Sequence, residues 1–308
     1  MGLRVEVRDA SKRFGFKIAY DQVSFEADSG ILAVIGPNGA GKTTLLKTLV
    51  GLYRPSKGLV KVEGVDVSSP LFDRLLSKIG YVPETPDLPA WPTPCELLET
   101  LARLEGIDSL DARRVAREAA SLMGLDEDCE TRIGRLSKGV RKRILIAQAF
   151  MRERELYVLD EPYAGLDPEW VSTFRNLLLE RARAGATIVI SSHILREVED
   201  LADRILVLKT QVRFVGSMQE LKAKLSPSKV AVIIVDRPEE ALEYLRRLGY
   251  QAVIDSSKGK GAVVLKDPDK AFEAAGLLRD SGFVVREVRL HEMSLEEAYL
   301  ALVGGEKH

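Results

Sequence analysis

Short apolar runs without polar alternation recur through the first part of the chain, up to residue 225. Such runs are typical of strands that are buried on both faces of a sheet. They lie at Ile31–Ile35, Leu156–Leu159, Thr187–Ser191 and Ile205–Lys209. Between them, Ala112–Met123 and Val171–Arg183 have the periodicity of helices. Alternating strands and helices predict an α/β domain over residues 1–225.

The middle of this domain has a different pattern. Residues 84–94 hold four prolines and Trp91, which predicts an irregular connection. A helix is expected next, near Cys95–Leu104, and another helical run covers Arg141–Phe150.

A domain boundary is expected near Leu225–Lys229, where serine and proline interrupt the pattern. Residues 226–308 then read β-α-β-β-α-β, the order of a small α+β ferredoxin-like domain. The expected elements are Val230–Val235, Pro238–Leu248, Ala252–Asp255, Ala262–Lys266, Asp269–Asp280 and Phe283–Leu290. A last helix is expected at Ser294, because Ser294 to Glu297 form a capping box. No catalytic cluster is evident here, so a docking or dimer-supporting role is expected.

Composition narrows the possible partners. The net charge is −1, so no basic field favours nucleic acid, and none is expected as a partner. No apolar run approaches the ~18 residues that span a bilayer, and the alternating N-terminus does not resemble a signal peptide. Cys95 and Cys129 are the two cysteines. They are expected to form no disulfide framework and to indicate a reducing compartment.

The strongest chemical signal is the segment Gly36–Thr44, which follows an apolar strand and precedes a helical pattern. Strand, glycine-rich loop and helix form the context of a nucleotide phosphate-binding loop. Backbone N–H groups would face the phosphates, Lys42 would neutralise the β- and γ-phosphate oxygens, and the Thr43 hydroxyl would bind Mg²⁺. The alternative is an ordinary glycine turn.

Two acids, Asp160 and Glu161, end the Leu156–Leu159 strand. An Asp at that position can hold Mg²⁺ through water, and the adjacent Glu can accept a proton from the attacking water. A solvated turn is the alternative interpretation for such a pair.

Two more segments carry candidate phosphate contacts. Ser137 and the Gly139 N–H precede a helical run and could form a second anion site, or Ser137 could be a plain helix cap. His193 follows the Thr187–Ser191 strand, where it could contact the γ-phosphate or be structural.

Together these motifs resemble the ATPase subunit of an ABC transporter over about residues 3–220. Gly36–Thr44 matches Walker A, Leu136–Val140 resembles the signature motif, Leu156–Glu161 matches Walker B, Ala164–Pro168 matches the D-loop, and His193 matches the switch histidine. The resemblance implies a P-loop NTPase domain of ABC type with a helical subdomain at about residues 84–150. The tail is similar to the C-terminal extension of ABC-2-type, exporter-like ATPases.

The resemblance also assigns residues to the bound nucleotide. It implies that Phe14 stacks on adenine and that Glu161 and His193 set the hydrolysis rate. The other implied nucleotide contacts are Asn38, Gly39, Gly41, Lys42, Thr43, Thr44, Ser137, Gly139 and Asp167.

The chain departs from the family pattern at two motifs. Lys138 and Val140 replace the first Gly and the Gln of the signature, while Ser137 and Gly139 remain. Glu84 stands where the family has the Q-loop Gln. A carboxylate is a stronger Mg²⁺ ligand than an amide but adds negative charge near the γ-phosphate. Glu84 is thus a candidate catalytic and metal-binding residue.

By resemblance, the cofactors are ATP and Mg²⁺. The expected partners are a second ATPase subunit, as a head-to-tail homodimer, and an integral membrane permease that would hold the chain at the cytoplasmic face of the membrane. Leu88, Trp91 and Leu97 are expected to meet the permease or to belong to the core. The alternatives are a soluble ABC ATPase in repair, translation or cofactor assembly, and a small-ligand regulatory module.

Overall fold

The computed structural model describes residues 2–225, 229–254, 261–265, 267–292 and 299. The chain divides into two compact units, Met1–Leu221 and Lys222–His308. None of the helices in the described ranges is long and apolar enough to cross a bilayer.

Strands and helices alternate through the first unit. Its strands are β1 (Val5–Phe14), β2 (Lys17–Ala27), β3 (Gly30–Ile35), β4 (Lys57–Val62), β5 (Val65–Asp66), β6 (Ile79–Val82), β7 (Leu156–Leu159), β8 (Thr187–Ser192), β9 (Arg204–Lys209) and β10 (Gln211–Gly216). Its α-helices are α1 (Lys42–Leu49), α2 (Pro94–Leu104), α3 (Ser109–Leu122), α4 (Lys138–Phe150), α5 (Pro168–Arg183), α6 (Leu195–Val198) and α7 (Met218–Leu225), which continues past Leu221. Short 3-10 helices lie at Pro70–Lys78 and Ile133–Arg135.

The central sheet contains the predicted apolar runs as strands. Its order is β10-β9-β3-β8-β7-β6, and all neighbouring pairs are parallel except β10 with β9. Parallel strands in one sheet have their carboxyl ends at one edge, so the segments after β3, β7 and β8 meet there.

A second sheet fixes the position of α1. It is antiparallel, with the order β2-β1-β4-β5. Leu45, Leu46 and Leu49 of α1 are fully buried in a core that includes residues of both sheets. Burial of these side chains holds the helix, and therefore its N-terminus, directly after β3.

The helical subdomain begins after an irregular segment, as the prolines predict. A capping box starts α2, in which Thr93 accepts a hydrogen bond from the Glu96 N–H and Glu96 accepts one from the Thr93 N–H. Helix α4 starts at Lys138 rather than at the predicted Arg141. Gly139 made this first turn resemble a loop in sequence, since glycine is a poor helix former.

The interpretation of the two cysteines is wrong in this structure. Cys95, in the first turn of α2, and Cys129, in the turns after α3, form a disulfide with a Cα–Cα distance of 5.1 Å. The 34-residue separation gave no indication of this contact, which depends on the packing of α2 against α3. The cysteine count therefore carries no argument for a reducing compartment.

The disulfide predicts a measurable contribution to stability. Cys129→Ser is expected to lower the free energy of unfolding by about 2–4 kcal/mol, because closing a loop of this length restricts the unfolded chain. Chemical denaturation of the oxidised wild type, the reduced wild type and the variant checks this. Equal midpoints for all three would contradict it.

The second unit is an α+β fold built around one antiparallel sheet. Its elements are β11 (Lys229–Val235), α8 (Pro238–Arg247), β12 (Ala252–Ile254), β13 (Ala262–Leu265), a 3-10 helix at Pro268–Lys270, α9 (Ala271–Asp280) and β14 (Val285–Glu292). The sheet order β12-β13-β11-β14 is that of a ferredoxin-like fold. Buried residues of α8 and α9 share a core with one face of this sheet. The helix predicted at Ser294 lies outside the described residues.

Candidate functional site

The loop between β3 and α1 follows a path that requires glycine. Gly41 has a φ of 102°, and a Cβ at this position would overlap the carbonyl oxygen of Ala19. A Cβ on Gly36 would overlap the carbonyl oxygen of Leu208. The loop therefore turns directly into the N-terminus of α1, where backbone N–H groups can bind a phosphate.

Lys42 is buried at the start of α1 and its ammonium has three oxygen partners. Nζ lies 2.7 Å from the Gly36 carbonyl, 3.3 Å from the Pro37 carbonyl and 3.1 Å from Oε1 of Glu161. Both side chains of the Lys42–Glu161 pair are less than a tenth exposed. The ammonium thus already lies within the loop that would hold phosphate oxygens.

Glu161 joins the ends of β7 and β8. Its second carboxylate oxygen, Oε2, lies 2.8 Å from Nδ1 of His193, which is 42% exposed on its side chain. The Glu161 backbone is left-handed, with a φ of 44°. Non-glycine residues rarely adopt that conformation, and such residues concentrate at functional sites. The imidazole of His193 positions the Glu161 carboxylate, and this carboxylate can accept a proton from a water molecule.

Asp160 has one occupied and one unpaired carboxylate oxygen. Ser191 donates from Oγ to Oδ1 at 2.7 Å, whereas the buried Oδ2 has no partner among the described residues. Burial raises the pKa of Asp160, and the hydrogen bond from Ser191 opposes that effect. An orphaned carboxylate oxygen in a buried position is the feature expected of a cation ligand.

Thr43 and Glu84 add oxygen atoms near Asp160. The Thr43 hydroxyl donates to Oε2 of Glu84 at 3.4 Å. In the described part of the chain, no group of three or more His, Cys, Asp or Glu residues could bind a metal by itself. Mg²⁺ commonly takes one or two carboxylates and completes its shell with phosphates and water, so this donor set fits Mg²⁺ with a bound nucleotide.

A cavity of about 260 Å³ brings most of the predicted residues together. Its lining includes Asn38, Gly39, Gly41, Lys42, Thr43, Thr44, Glu84 and Glu161. Lys17 and Ala19 of β2 also line it and were not predicted, because nothing in their local sequence indicates a contact with the loop. Asp160 and His193 are not part of the lining, although Asp160 precedes the lining residue Glu161 and His193 contacts it. Phe14, Ser137, Gly139 and Asp167 are not part of it either.

Ser137 and Gly139 lie together at the start of α4. Ser137 is the N-cap, and its Oγ accepts a hydrogen bond from the Val140 N–H at 3.2 Å. A Cβ on Gly139 would lie 2.7 Å from the carbonyl oxygen of Gly165, so the signature segment packs on the segment that leads to Asp167. Asp167 is exposed and is the N-cap of α5. None of these three residues lines the cavity of the same chain.

Phe14 ends β1 on a partly exposed aromatic cluster. Its ring makes an edge contact with Tyr53, with centroids 5.2 Å apart, and the Lys12 ammonium lies 5.0 Å from the Phe14 centroid. An exposed aromatic ring with a nearby cation can stack on a purine base. Tyr53 was not predicted, because it is distant in sequence from Phe14.

Lys142 is a further residue that the motifs do not indicate. It is 1% exposed, and Nζ donates to the carbonyls of Pro83 and Glu84 at 2.9 Å each and to that of Asp160 at 3.3 Å. Burial lowers the pKa of Lys142 to about 8. This side chain connects helix α4 with the segments that carry Glu84 and Asp160.

Comparisons with known proteins indicate the family to which this chain is similar. The family model described as ABC transporter matches residues 20–164. An uncharacterized ABC transporter ATP-binding protein of Bacillus subtilis, YxlF, is 30% identical, with 97% of this chain and 99% of that protein covered. A Nod factor export ATP-binding protein I of Burkholderia lata is 34% identical, with 67% of each chain covered.

A solved structure has a similar fold over most of its length. It is described as the structure of the ATP binding subunit of an ABC transporter, and it is 29% identical with a TM-score of 0.65. The match covers 71% of this chain and 92% of that one. The predicted fold class is thereby confirmed. With a phosphate-binding loop after β3, paired acids after β7 and a nearly full-length relative, the chain belongs to the family of ABC transporter ATP-binding proteins, which are ATPases.

Proposed function

We propose that this chain binds and hydrolyses ATP to drive export of a substrate through a separate membrane subunit. The observation that carries the proposal is the convergence of Lys42, Glu161 and Glu84 on one cavity behind the glycine loop. The direction of transport is supported by the similarity to a Nod factor export ATP-binding protein and by the exporter-like Pro-Glu at Glu84.

ATP binding changes the partners of Lys42. Before binding, its ammonium is shared by two loop carbonyls and Glu161. Phosphate oxygens are stronger acceptors for a cation than neutral carbonyls are, so the nucleotide draws Lys42 towards itself and releases Oε1 of Glu161. Glu161 then accepts the proton of the attacking water, and His193 holds its other oxygen and contacts the γ-phosphate.

Thr43, Asp160 and Glu84 would hold Mg²⁺ at this site. When bound, the metal neutralises charge that develops on the β- and γ-phosphate oxygens. The chain itself supplies a buried carboxylate oxygen without a partner and a hydroxyl in the first turn of α1. Asn38, Gly39, Gly41 and Thr44 surround the phosphates, and Phe14 stacks on the adenine.

A head-to-tail homodimer completes the nucleotide site. Ser137, Gly139 and Asp167 do not line the cavity of their own chain, and Ser137 caps a helix whose first turn holds no acidic residue. That helix N-terminus attracts an anion, so it would supply donors to the ATP of a second copy. The γ-phosphate then favours the closed dimer, and hydrolysis removes that preference.

The membrane partner is proposed to contact the segment before α2. Trp91 is 74% exposed, which excludes a core role for it, whereas Leu88 and Leu97 are half-buried. A large exposed aromatic residue is a frequent anchor of an interface. Because ATP is its substrate, we place the chain at the cytoplasmic face of the cell membrane, held there by the permease.

Trp91→Asp tests this part of the proposal. Loss of a central Trp anchor is expected to weaken binding of the permease by roughly 30-fold, the scale of an interface hot spot. The chain is purified from native membranes in mild detergent, and the co-purifying multi-span protein is quantified by mass spectrometry. Leu71→Asp is the matched control, since Leu71 is 54% exposed in the 3-10 helix at Pro70–Lys78, away from the proposed interface segment.

These purifications test both the interface and the proposed function. Equal recovery of the membrane protein with both variants would contradict the placement of the interface. Recovery of the wild type entirely from the soluble fraction, without a multi-span protein, would instead favour the soluble, non-transport ABC ATPase.

A further inference from the structure

We propose that Ser191 is a positioning residue that aligns the metal-binding and water-activating carboxylates of this ATPase. The inference rests on the proposed roles of Asp160 and Glu161. From the sequence, Ser191 is predicted only as the end of a strand two residues before His193, with no role of its own. It lies in β8, is fully buried, and is distant in sequence from both carboxylates.

The Ser191 hydroxyl bonds to both acids at once. Oγ donates its proton to Oδ1 of Asp160 at 2.7 Å and accepts a hydrogen bond from the Glu161 N–H at 2.9 Å. A hydroxyl has one proton and two lone pairs, so it can make both bonds. No apolar side chain could replace either of them.

The first bond determines which oxygen of Asp160 remains free. Because Oδ1 is occupied by Ser191, the unpaired oxygen is Oδ2. Partners behind a metal-binding carboxylate orient it, and their loss commonly weakens metal binding. Without Ser191 the carboxyl group could rotate, so Oδ2 would no longer be held as the free oxygen.

The second bond holds the peptide that connects the two acids. The Glu161 N–H of this peptide is bound by Ser191, and the Asp160 carbonyl is bound by the Lys142 ammonium. Side chains from β8 and α4 therefore hold both polar groups of one peptide unit. This peptide precedes Glu161, whose backbone is left-handed, a conformation that persists only where surrounding contacts enforce it. Ser191 is thus expected to keep Glu161 directed at His193 and Lys42.

Ser192 provides a matched control. It is the next residue of β8 and is also fully buried, but its Oγ donates to Oε2 of Glu197 and accepts a hydrogen bond from the Ile194 N–H instead. Ser192→Ala removes a buried hydroxyl from the same strand without touching Asp160 or Glu161.

The test compares nucleotide affinity with and without metal. Dissociation constants of a non-hydrolysable ATP analogue are measured in Mg²⁺ and in EDTA for the wild type, Ser191→Ala and Ser192→Ala, together with kcat and the thermal midpoint of each apo protein. We call the ratio of the affinity in Mg²⁺ to the affinity in EDTA the gain from Mg²⁺. For Ser191→Ala we expect an unchanged affinity in EDTA, a gain from Mg²⁺ near one, and a kcat lower by about 10–100-fold. Ser192→Ala is expected to retain the wild-type gain and kcat.

Three results would overturn the inference. The first is a wild-type gain from Mg²⁺ in Ser191→Ala. The second is an equal loss of affinity in Mg²⁺ and EDTA, which would show a general structural role. The third, no gain from Mg²⁺ in the wild type, would also overturn the proposed metal site, so failure of the proposed function is distinguishable from failure of this inference alone.

Discussion

Replacing Glu161 with Gln is expected to lower ATP turnover by about 100-fold or more, the scale of a lost general base. The variant should also accumulate as an ATP-bound dimer, because the γ-phosphate that favours the closed state is no longer removed. Gln has nearly the shape of Glu, so its contacts with Lys42 and His193 would change little in geometry. Steady-state phosphate release and the mass of the species at saturating Mg²⁺ and ATP measure the two effects.

Glu180→Gln is the control for this variant. Glu180 lies near the end of α5, which returns the chain to the amino-terminal edge of the sheet, and its side chain is 68% exposed. Full turnover in Glu161→Gln would refute the role of Glu161. A strictly monomeric Glu161→Gln protein at saturating Mg²⁺ and ATP would refute the nucleotide-dependent dimer.

Ser137→Arg is expected to abolish ATP hydrolysis while nearly all nucleotide binding by the isolated chain remains. The long side chain would block the N-terminus of α4, where the second copy is proposed to receive the γ-phosphate. Ser137 does not line the nucleotide cavity of its own chain, so that cavity would be unaffected. ATPase assays and equilibrium binding of ATP to the purified chain measure the two quantities.

The same substitution at another helix start controls for the lost cap. Ser69 caps the 3-10 helix at Pro70–Lys78 by accepting from the Leu71 N–H, as Ser137 does for Val140. Ser69→Arg is expected to hydrolyse ATP at the wild-type rate. Loss of ATP binding in Ser137→Arg would show that Ser137 acts within its own chain, contrary to the proposal.

The order of strands and helices could be predicted from sequence because each depends on neighbouring residues. The runs at Ile31–Ile35 and Leu156–Leu159 match β3 and β7 within one residue at each end. The glycine loop was also predictable, since the spacing of Gly36, Gly41 and Lys42 reflects a local backbone path around phosphate. Once both strands belong to one parallel sheet, the acids after β7 must lie beside that loop.

Tertiary packing decided the contacts that no local pattern contains. The Cys95–Cys129 disulfide requires α2 and α3 to pack together, and the bonds of Ser191 to the Asp160–Glu161 pair require β7 and β8 to be neighbours. Lys142 could not be distinguished from a surface lysine, because its three carbonyl partners are far from it in sequence. Sequence periodicity indicates which side chains are buried. Hydrogen bonds between distant segments depend instead on interatomic distances, which are set only when the chain folds.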